Sequence, residues 1–284
     1  MESKSPFMGF QYPYENSKVV IIQVPYGGTS TYLKGQDLGP NAILEASLQV
    51  ETYDIELKQD YVDKLQFHTL PELKVQKLPP KKVVDALQGA VDKVLDDGKF
   101  PLIFGGEHSI TTGGVQSAFA HFDDLTVLQI DAHADMRNEF HGSKYNHGCV
   151  MSRIREMVPA VSVGIRSYCV EEAKIINEKY SDVIFGPHLN SQIEDKILSK
   201  IQTKNVFITI DIDGFDPSVM PATGTPEPGG LLWNDTLSLL RRVAKEKNVV
   251  GADIVELAPR NGEIITDFAC AKLAYKFAGF CLLE

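Results

Sequence analysis

Residues 125–135, LTVLQIDAHAD, begin with the pattern of a buried strand and end with acidic and imidazole side chains, which are types that bind metals in proteins. The first six residues are apolar and β-branched enough for a strand inside a sheet. Asp131, His133 and Asp135 follow at every other position, so an extended chain would direct them to one side. Fully extended, Asp131 and Asp135 would lie roughly 13 Å apart, too far to share two cations about 3.5–4 Å apart. The chain is therefore expected to curl here, unless these acids only pair with lysines or cap the next helix.

Strand patterns and helix patterns alternate along most of the chain. Strands are predicted at residues 18–25, 100–104, 125–130, 161–165, 182–185, 205–210 and 249–257. Helical spacing marks residues 41–47, 80–97, 150–157, 171–180, 194–202 and 234–247, and a last helix begins near residue 266. Residues 51–78 are mixed in character and indicate only a short strand near Tyr53. The alternation is typical of a parallel sheet flanked by helices, so the sequence predicts an α/β fold.

Length and composition indicate a soluble globular protein, with 43% hydrophobic and 23% charged residues. No linker divides the 284 residues, which predicts one domain over residues 1–284. A cytoplasmic protein without a membrane partner is expected, because no apolar run would cross a bilayer and the first 18 residues lack a signal-peptide core. The net charge of -10 argues against nucleic-acid binding and suits a cationic substrate, although acidity also serves solubility. The four cysteines form no C-x-x-C pair and indicate reduced thiols.

Further candidate ligands follow other predicted strands. His108 comes soon after the strand at 100–104, Asp211 and Asp213 follow the strand at 205–210, and Glu256 lies near the end of the last strand. The carboxyl ends of parallel strands meet at one edge of a sheet, where chemistry in α/β proteins usually occurs. With Asp131, His133 and Asp135, the residues His108, Asp211 and Asp213 offer two imidazoles and four carboxylates, and four carboxylates balance two divalent cations. An oxygen-rich set without thiolate favours Mn²⁺ over a structural Zn²⁺, and two such cations activate water against an electron-poor sp² carbon. Taken alone, Glu256 is better interpreted as a salt-bridged or solvated glutamate than as part of a site.

The first predicted strand leads into Tyr26-Gly27-Gly28-Thr29, a segment suited to turns close to a ligand or to neighbouring backbone. No G-x-x-x-x-G-K-[ST] or G-x-G-x-x-G motif follows a strand. Nucleotide binding therefore lacks its usual sequence support.

The chain resembles the ureohydrolases, the arginase and agmatinase family, over nearly its whole length. Four segments carry the resemblance in order and in approximate spacing: GGEHSI at residues 105–110, DAHAD at 131–135, DIDGFDPSVMPATGTPEPGGL at 211–231 and DIVEL at 253–257. The resemblance implies a three-layer α/β/α fold with a central, mainly parallel sheet, and a homotrimer or homohexamer. It also implies a cluster of two Mn²⁺ per chain, held by His108, Asp131, His133, Asp135, Asp211 and Asp213.

The same resemblance implies two catalytic side chains. His147 in NHGC would be the proton shuttle, and Glu256 would hold the guanidinium of the substrate. His141 is an alternative shuttle, because it begins a second His-Gly pair in the same loop. His147 is preferred since it directly precedes the next helix.

Agmatine, cleaved to putrescine and urea, is the expected substrate. The stretch PATGTP at residues 221–226 looks more like arginases, whereas ELAPR at 256–260 looks more like agmatinases. Arginase, guanidinobutyrase or formiminoglutamase activity would use the same metal site, with Arg137 or Lys144 serving a substrate carboxylate if either faced inward. A metal-binding module without turnover is the alternative of another class. The presence of every expected ligand, of Glu256 and of a shuttle histidine argues against such a module.

Overall fold

The computed structural model of the chain describes residues 5–180 and 184–284. Its strands, in chain order, are β1 Val19–Gln23, β2 Tyr53–Asp54, β3 Gln59–Asp60, β4 His68–Thr69, β5 Phe100–Phe104, β6 Leu125–Ile130, β7 Ala160–Val163, β8 Ile184–Phe185, β9 Asn205–Asp211 and β10 Asn248–Val255. Eight of them form one sheet in the order β4-β1-β5-β10-β9-β6-β7-β8, and each neighbouring pair is parallel. Strands β2 and β3 form a separate antiparallel hairpin.

Helices connect these strands. They are α1 Gly39–Ser47, α2 Val62–Leu65, α3 Pro80–Asp96, α4 Thr111–His121, α5 Val150–Arg155, α6 Val170–Ile175, α7 Ser191–Lys200, α8 Trp233–Glu246 and α9 Ile265–Leu283. Across the described ranges, none of these helices is both long enough and apolar enough to cross a membrane.

The sheet is buried on both faces, because alternate residues of each central strand enter different hydrophobic clusters. Ile21 packs with residues of α1, α8 and α9, whereas its neighbour Ile22 packs with residues of α3, α4 and α5. Leu128 and Val127 of β6 divide in the same way. Side chains alternate between the two faces of a strand, so the two clusters are the two sides of the sheet. The predicted three-layer α/β/α fold is confirmed.

The predicted strands correspond closely to the observed ones at the centre of the sheet. Strands β5 and β6 have the predicted bounds, and β9 extends one residue further, to Asp211. Strand β10 ends at Val255 rather than at residue 257, which leaves Glu256 just beyond it. Of the strand predicted at 182–185, only residues 184 and 185 lie within the described part of the chain. Strand β4 was not predicted, because two residues carry no periodic pattern.

The order of the sheet decides where the site forms. Strands β5, β10, β9 and β6 are consecutive neighbours and all run in one direction. The candidate residues follow these four strands: His108 after β5, Glu256 after β10, Asp211 and Asp213 at the end of β9, and Asp131 after β6. Parallel strands present their carboxyl ends at a common edge, so the topology alone brings these residues together.

A buried lysine ties the β2–β3 hairpin to α9. The Lys276 Nζ atom donates to Asp54 Oδ2 at 2.7 Å and also pairs with Glu56, and both Lys276 and Asp54 are buried. Burial on its own would raise the pKa of Asp54, but Lys276 and two backbone N–H groups hold that pKa below its usual value. The ion pair therefore stabilises the folded chain at neutral pH, and this contribution is lost as the pH falls through the lowered pKa of Asp54.

We expect Lys276→Met to lower the free energy of unfolding by about 3 kcal/mol, because it leaves the Asp54 carboxylate buried without its cation. Urea denaturation measures this change. Lys81→Met is the control, since Lys81 pairs with Asp85 on an exposed face of α3 and such pairs contribute about 0.5 kcal/mol or less. Equal stability of the two variants would show that the buried pair contributes nothing.

Candidate metal centre

The six predicted ligands lie together at the carboxyl edge of the sheet. The His108 Nδ1 atom is 3.2 Å from Asp131 Oδ2, 3.2 Å from Asp135 Oδ2 and 3.3 Å from Asp211 Oδ2. The His133 Nδ1 atom is 2.9 Å from Asp213 Oδ2. All except His133 are buried.

Asp131 belongs to two groups that could each hold a metal ion. His108, Asp131 and Asp135 form the first group, and Asp131, His133 and Asp213 form the second, with the ligand atoms of each group within 4.8 Å of one another. The two oxygens of Asp131 face different imidazoles: Oδ2 faces His108, and Oδ1 lies 3.7 Å from His133 Nδ1. A carboxylate with one oxygen in each of two groups is the arrangement that bridges two cations.

The chain curls after β6, as the spacing of Asp131 and Asp135 predicts. Asp135 has a φ of 51°, and its carbonyl oxygen accepts hydrogen bonds from Met151 and Ser152 at the start of α5. A left-handed φ is uncommon for a non-glycine residue and is a recurrent feature of functional sites. Glycine is required at Gly214, because a Cβ atom there would lie 2.7 Å from the backbone nitrogen of Asp131.

The site concentrates negative charge at a buried position. Burial, reinforced by the carboxylates of Asp135 and Asp213, raises the pKa of Asp131 to about 7. Burial and neighbouring carboxylates raise the pKa of Asp211 as well. Burial would lower the pKa of His133, but Asp213 and other carboxylates raise it to about 11. The repulsion between carboxylates this close is relieved either by protons, which is why these pKa values are raised, or by bound cations, so the site suits positive ions.

The donor atoms also fit metal ions. The His108 Nε2 atom lies 2.9 Å from the Thr209 hydroxyl, whereas its buried Nδ1 has no hydrogen-bond partner among the described residues. A histidine that uses one ring nitrogen for a hydrogen bond and leaves the other facing carboxylates is typical of metal ligands. Oxygen and imidazole donors without a thiolate suit Mn²⁺ and similar divalent ions.

Glu256 lies beside this cluster in a backbone conformation with a φ of 67°. Its Oε1 accepts a hydrogen bond from the backbone N–H of His108 at 2.8 Å, and its Oε2 accepts one from Gln36 Nε2 at 3.1 Å. Burial, together with the nearby Glu107 carboxylate, raises the pKa of Glu256 to about 8. No lysine or arginine is among its hydrogen-bond or ion-pair partners in the described structure, so Glu256 is a buried acid that lacks a countercharge.

A cavity of about 350 Å³ opens onto the candidate ligands. Its lining contains His133, Asp135, Asp211 and Asp213 from the metal cluster, together with Glu256 and His147. It also contains Tyr32 and Tyr168, whose exposed fractions are 71% and 50%. The cavity therefore runs from the metal cluster to the protein surface.

The two histidines considered as proton shuttles occupy different places. His147 is half-buried and lines the cavity. His141 is exposed and has a φ of 47°, and its ring lies against the Phe140 ring at a tilt of 48° with a centroid distance of 4.2 Å. Arg137 also lines the cavity, with its guanidinium over Phe140 and its Nε atom 3.9 Å from Glu172, whereas Lys144 is exposed.

Sequence reasoning missed several side chains at this edge. Thr29 and Gln36 come from the loop after β1, where the sequence indicated only turns. Gln36 and Glu256 are 220 residues apart, so no local pattern could connect them. The only signal of Glu107 is its place in the segment GGEHSI.

These features define a protein of the α/β class with a buried His/Asp cluster that is able to bind metal ions. The family model of the arginase family matches residues 17–279. The chain belongs to the arginase family, whose members are binuclear metal enzymes, and it is a ureohydrolase.

Two relatives and one solved structure illustrate the similarity. The N(1)-aminopropylagmatine ureohydrolase of Synechocystis sp. is 42% identical over 94% of this chain and 90% of its own length. The agmatinase of Bacillus subtilis is 31% identical over 89% of this chain and 88% of its own length. The agmatine ureohydrolase of Thermoplasma volcanium has a TM-score of 0.89 at 30% identity and covers 99% of this chain and 95% of its own. The chain is therefore similar to agmatinases and to related ureohydrolases.

Proposed function

We propose that the protein hydrolyses the guanidino group of a small cationic amine to urea and the free amine, with agmatine giving putrescine. The sharing of Asp131 between two ligand groups carries this proposal, together with the buried Glu256, which has no lysine or arginine partner among the described residues. When bound, two divalent cations would activate water as the nucleophile and stabilise negative charge in the transition state. His108, Asp131 and Asp135 would hold one ion, Asp131, His133 and Asp213 the other, and Asp211 would complete the set.

Glu256 would bind and orient the substrate. A guanidinium is planar and forked, so a carboxylate can accept two parallel N–H bonds from it. The oxygens of Glu256 are already fixed by His108 N–H and Gln36, and this fixation lets the carboxylate place the guanidino carbon toward the metal cluster. The substrate cation would also supply the countercharge that Glu256 lacks.

His147 would move protons between the reacting groups and solvent. It lines the same cavity as Glu256 and Asp135, and histidine is the side chain that most often serves as a general acid or base. The amine that leaves during hydrolysis needs a proton, and a half-buried histidine at the edge of the cavity has access to both water and substrate.

The cavity suits an amine tail better than a carboxylate tail. Arg137 is the only lysine or arginine among the described residues of the lining, and its guanidinium already faces Glu172 and lies over the Phe140 ring. A second candidate substrate is N(1)-aminopropylagmatine, which the Synechocystis relative is named for. Its longer tail would pass between the exposed rings of Tyr32 and Tyr168 toward solvent.

Urea release from a panel of substrates tests the function. We expect the highest kcat/KM with agmatine, then N(1)-aminopropylagmatine, and little turnover of arginine or 4-guanidinobutyrate; release of formamide from formiminoglutamate is measured beside them. Mn²⁺, Co²⁺, Ni²⁺ and Zn²⁺ are compared in parallel, because the donor set restricts the metal without fixing it. Turnover of arginine alone would overturn the proposed substrate. Metal binding without release of urea from any guanidino compound would overturn the proposed reaction.

Further attributes complete the proposal. We propose Mn²⁺ as the metal at two ions per chain, one domain over residues 1–284, a homotrimer or homohexamer, and a cytoplasmic location. Elemental analysis after reconstitution measures the metal content, and light scattering during size-exclusion chromatography measures the oligomer.

A further inference from the structure

The loop after β1 contacts both proposed catalytic side chains. We define this β1 loop as residues 24–38, which end in the short 3₁₀ helix Gln36–Leu38. Gln36 contacts Glu256, and Thr29 contacts His147. The loop also contributes Tyr32 and Leu33 to the cavity lining. One connection between a strand and a helix therefore reaches two side chains that come from distant parts of the sequence.

Gln36 is held in a single orientation. Its side chain is buried, and its Nε2 donates to Glu256 Oε2 and to the Leu33 carbonyl oxygen, both at 3.1 Å. Its Oε1 accepts a hydrogen bond from the Ser30 hydroxyl at 2.9 Å. Both amide hydrogens and the amide oxygen are thus hydrogen-bonded. If the amide were flipped, its oxygen would face the Glu256 carboxylate and the Leu33 carbonyl oxygen, and neither group can donate a hydrogen bond. A Cβ atom at Gly224 would lie 2.5 Å from Nε2, which shows how tightly the amide is enclosed.

This amide completes the support of Glu256. The backbone N–H of His108 fixes Oε1, and Gln36 fixes Oε2, so each oxygen of the carboxylate has one donor. A carboxylate has about four lone-pair sites, and the remaining ones are free for the two N–H groups of a guanidinium. Without Gln36 the carboxylate would have only one anchor and could rotate about its last side-chain bond.

Thr29 supports His147 in a comparable way. The Thr29 Oγ1 atom accepts a hydrogen bond from the backbone N–H of His147 at 3.1 Å and lies 3.2 Å from His147 Nδ1. The other ring nitrogen, Nε2, lies 3.4 Å from the hydroxyl of Thr31, which belongs to the same loop. The loop therefore contacts both ring nitrogens and the backbone N–H of His147, and these contacts fix the orientation of the imidazole.

We propose that the β1 loop is the positioning element of the active site, with Gln36 fixing the carboxylate plane of Glu256 and Thr29 fixing the orientation of the His147 ring. This inference rests on the proposed function, because it takes Glu256 as the guanidinium ligand and His147 as the proton shuttle. The two contacts act on different steps. Loss of the Gln36 contact weakens substrate binding, whereas loss of the Thr29 contact slows proton transfer.

Gln36→Met tests the first contact, since it keeps the length of the side chain and removes the donor. We expect the KM for agmatine to rise about tenfold or more, because a hydrogen bond to a charged group is lost, with the metal content unchanged. Gln23→Met is the matched control: Gln23 is a buried glutamine of β1 whose Nε2 donates to the Leu70 carbonyl at 2.8 Å. The control is expected to lower the melting temperature similarly while the KM stays within about twofold of wild type.

Ser30→Ala is a milder second variant, which frees only the Oε1 end of Gln36. This variant tests the role of Gln36 if Gln36→Met does not fold. We expect it to raise the KM for agmatine less than Gln36→Met does. A KM for agmatine equal to that of wild type in the folded Gln36→Met protein, or in Ser30→Ala when Gln36→Met does not fold, would overturn the role of Gln36. A wild-type protein that hydrolyses no guanidino compound would instead overturn the proposed function, so the two failures are distinguishable.

Thr29→Val tests the second contact, since valine keeps the shape of threonine and lacks the hydroxyl. We expect kcat to fall about tenfold or more with KM within about twofold, because the shuttle is misoriented while Glu256 still holds the substrate. Thr203→Val is the control, because the Thr203 hydroxyl bonds Thr126 at the opposite end of the sheet. An unchanged kcat in Thr29→Val, or a rise in KM without a fall in kcat, would overturn the role of Thr29.

Discussion

Asp131→Asn is expected to abolish the binding of at least one of two metal ions per chain and to lower kcat/KM by about a thousandfold. Loss of an outer-shell partner of a metal site typically costs about 10–100-fold, and loss of a shared ligand should cost more. Asp131 directs one oxygen toward His108 and the other toward His133, so it serves both ligand groups. An amide keeps only one oxygen and carries no charge, and it therefore cannot bridge two cations.

The stability of the metal-free protein distinguishes this role from a structural one. Asp131 is buried among like charges, and their repulsion destabilises the metal-free fold. The amide that the substitution introduces would replace one acceptor oxygen, but Gln129 lies next to it with a buried Oε1 that has no partner among the described residues. Rotation of the Gln129 amide supplies an acceptor and gives up its hydrogen bond to the His133 carbonyl oxygen. Because the lost hydrogen bond and the lost repulsion oppose each other, the metal-free variant should melt close to the temperature of metal-free wild type or above it.

Elemental analysis, agmatine kinetics and thermal melts with and without Mn²⁺ measure these effects. Only wild type should gain a large stabilisation from Mn²⁺, because a ligand stabilises the folded state by an amount set by its affinity. Asp123→Asn is the control, since Asp123 is an exposed acid at the opposite end of β6. Two metal ions per chain and full turnover in Asp131→Asn would remove Asp131 from the metal centre.

The central strands and the site residues that follow them could be predicted because both depend on local sequence patterns. Strands β5 and β6 are mainly apolar and every residue in them is buried, since parallel strands covered by helices are buried on both faces. The acids and histidines follow such runs directly, and a parallel sheet places the ends of neighbouring strands at one edge. The spacing of Asp131, His133 and Asp135 also predicted the curl after β6 on simple grounds of chain length.

Long-range partners and backbone conformation could not be predicted. The left-handed conformations of Asp135 and Glu256 carry no glycine or asparagine signal. The contact between Gln36 and Glu256 depends on how the β1 loop folds over the edge of the sheet, and a glutamine among turn residues has no distinctive pattern. His141 and His147 both precede glycine, and only the path of the loop leaves one exposed and places the other in the cavity.

Glu256→Gln is expected to lower kcat/KM for agmatine by about two orders of magnitude or more, or about 3 kcal/mol of transition-state stabilisation, with near-normal metal content. The variant keeps the shape of the side chain but removes the charge that faces the substrate cation. It also places an amide N–H₂ opposite either His108 N–H or Gln36 Nε2, both of which donate to the carboxylate in wild type. One of these hydrogen bonds is therefore lost as well.

If Glu256 had only a structural role, the substitution would lower the melting temperature and leave the rate of hydrolysis nearly unchanged. The electrostatics of the site predict the opposite for a substrate ligand. Because Glu256 is a buried acid close to Glu107 and without a paired cation among the described residues, its charge costs stability in the substrate-free protein. Neutral glutamine should then leave the melting temperature roughly unchanged, the gain from lost repulsion offsetting the lost hydrogen bond. A Glu256→Gln protein that melts well below wild type and still hydrolyses agmatine at a nearly normal rate would identify Glu256 as a structural residue and leave the guanidinium without a carboxylate ligand.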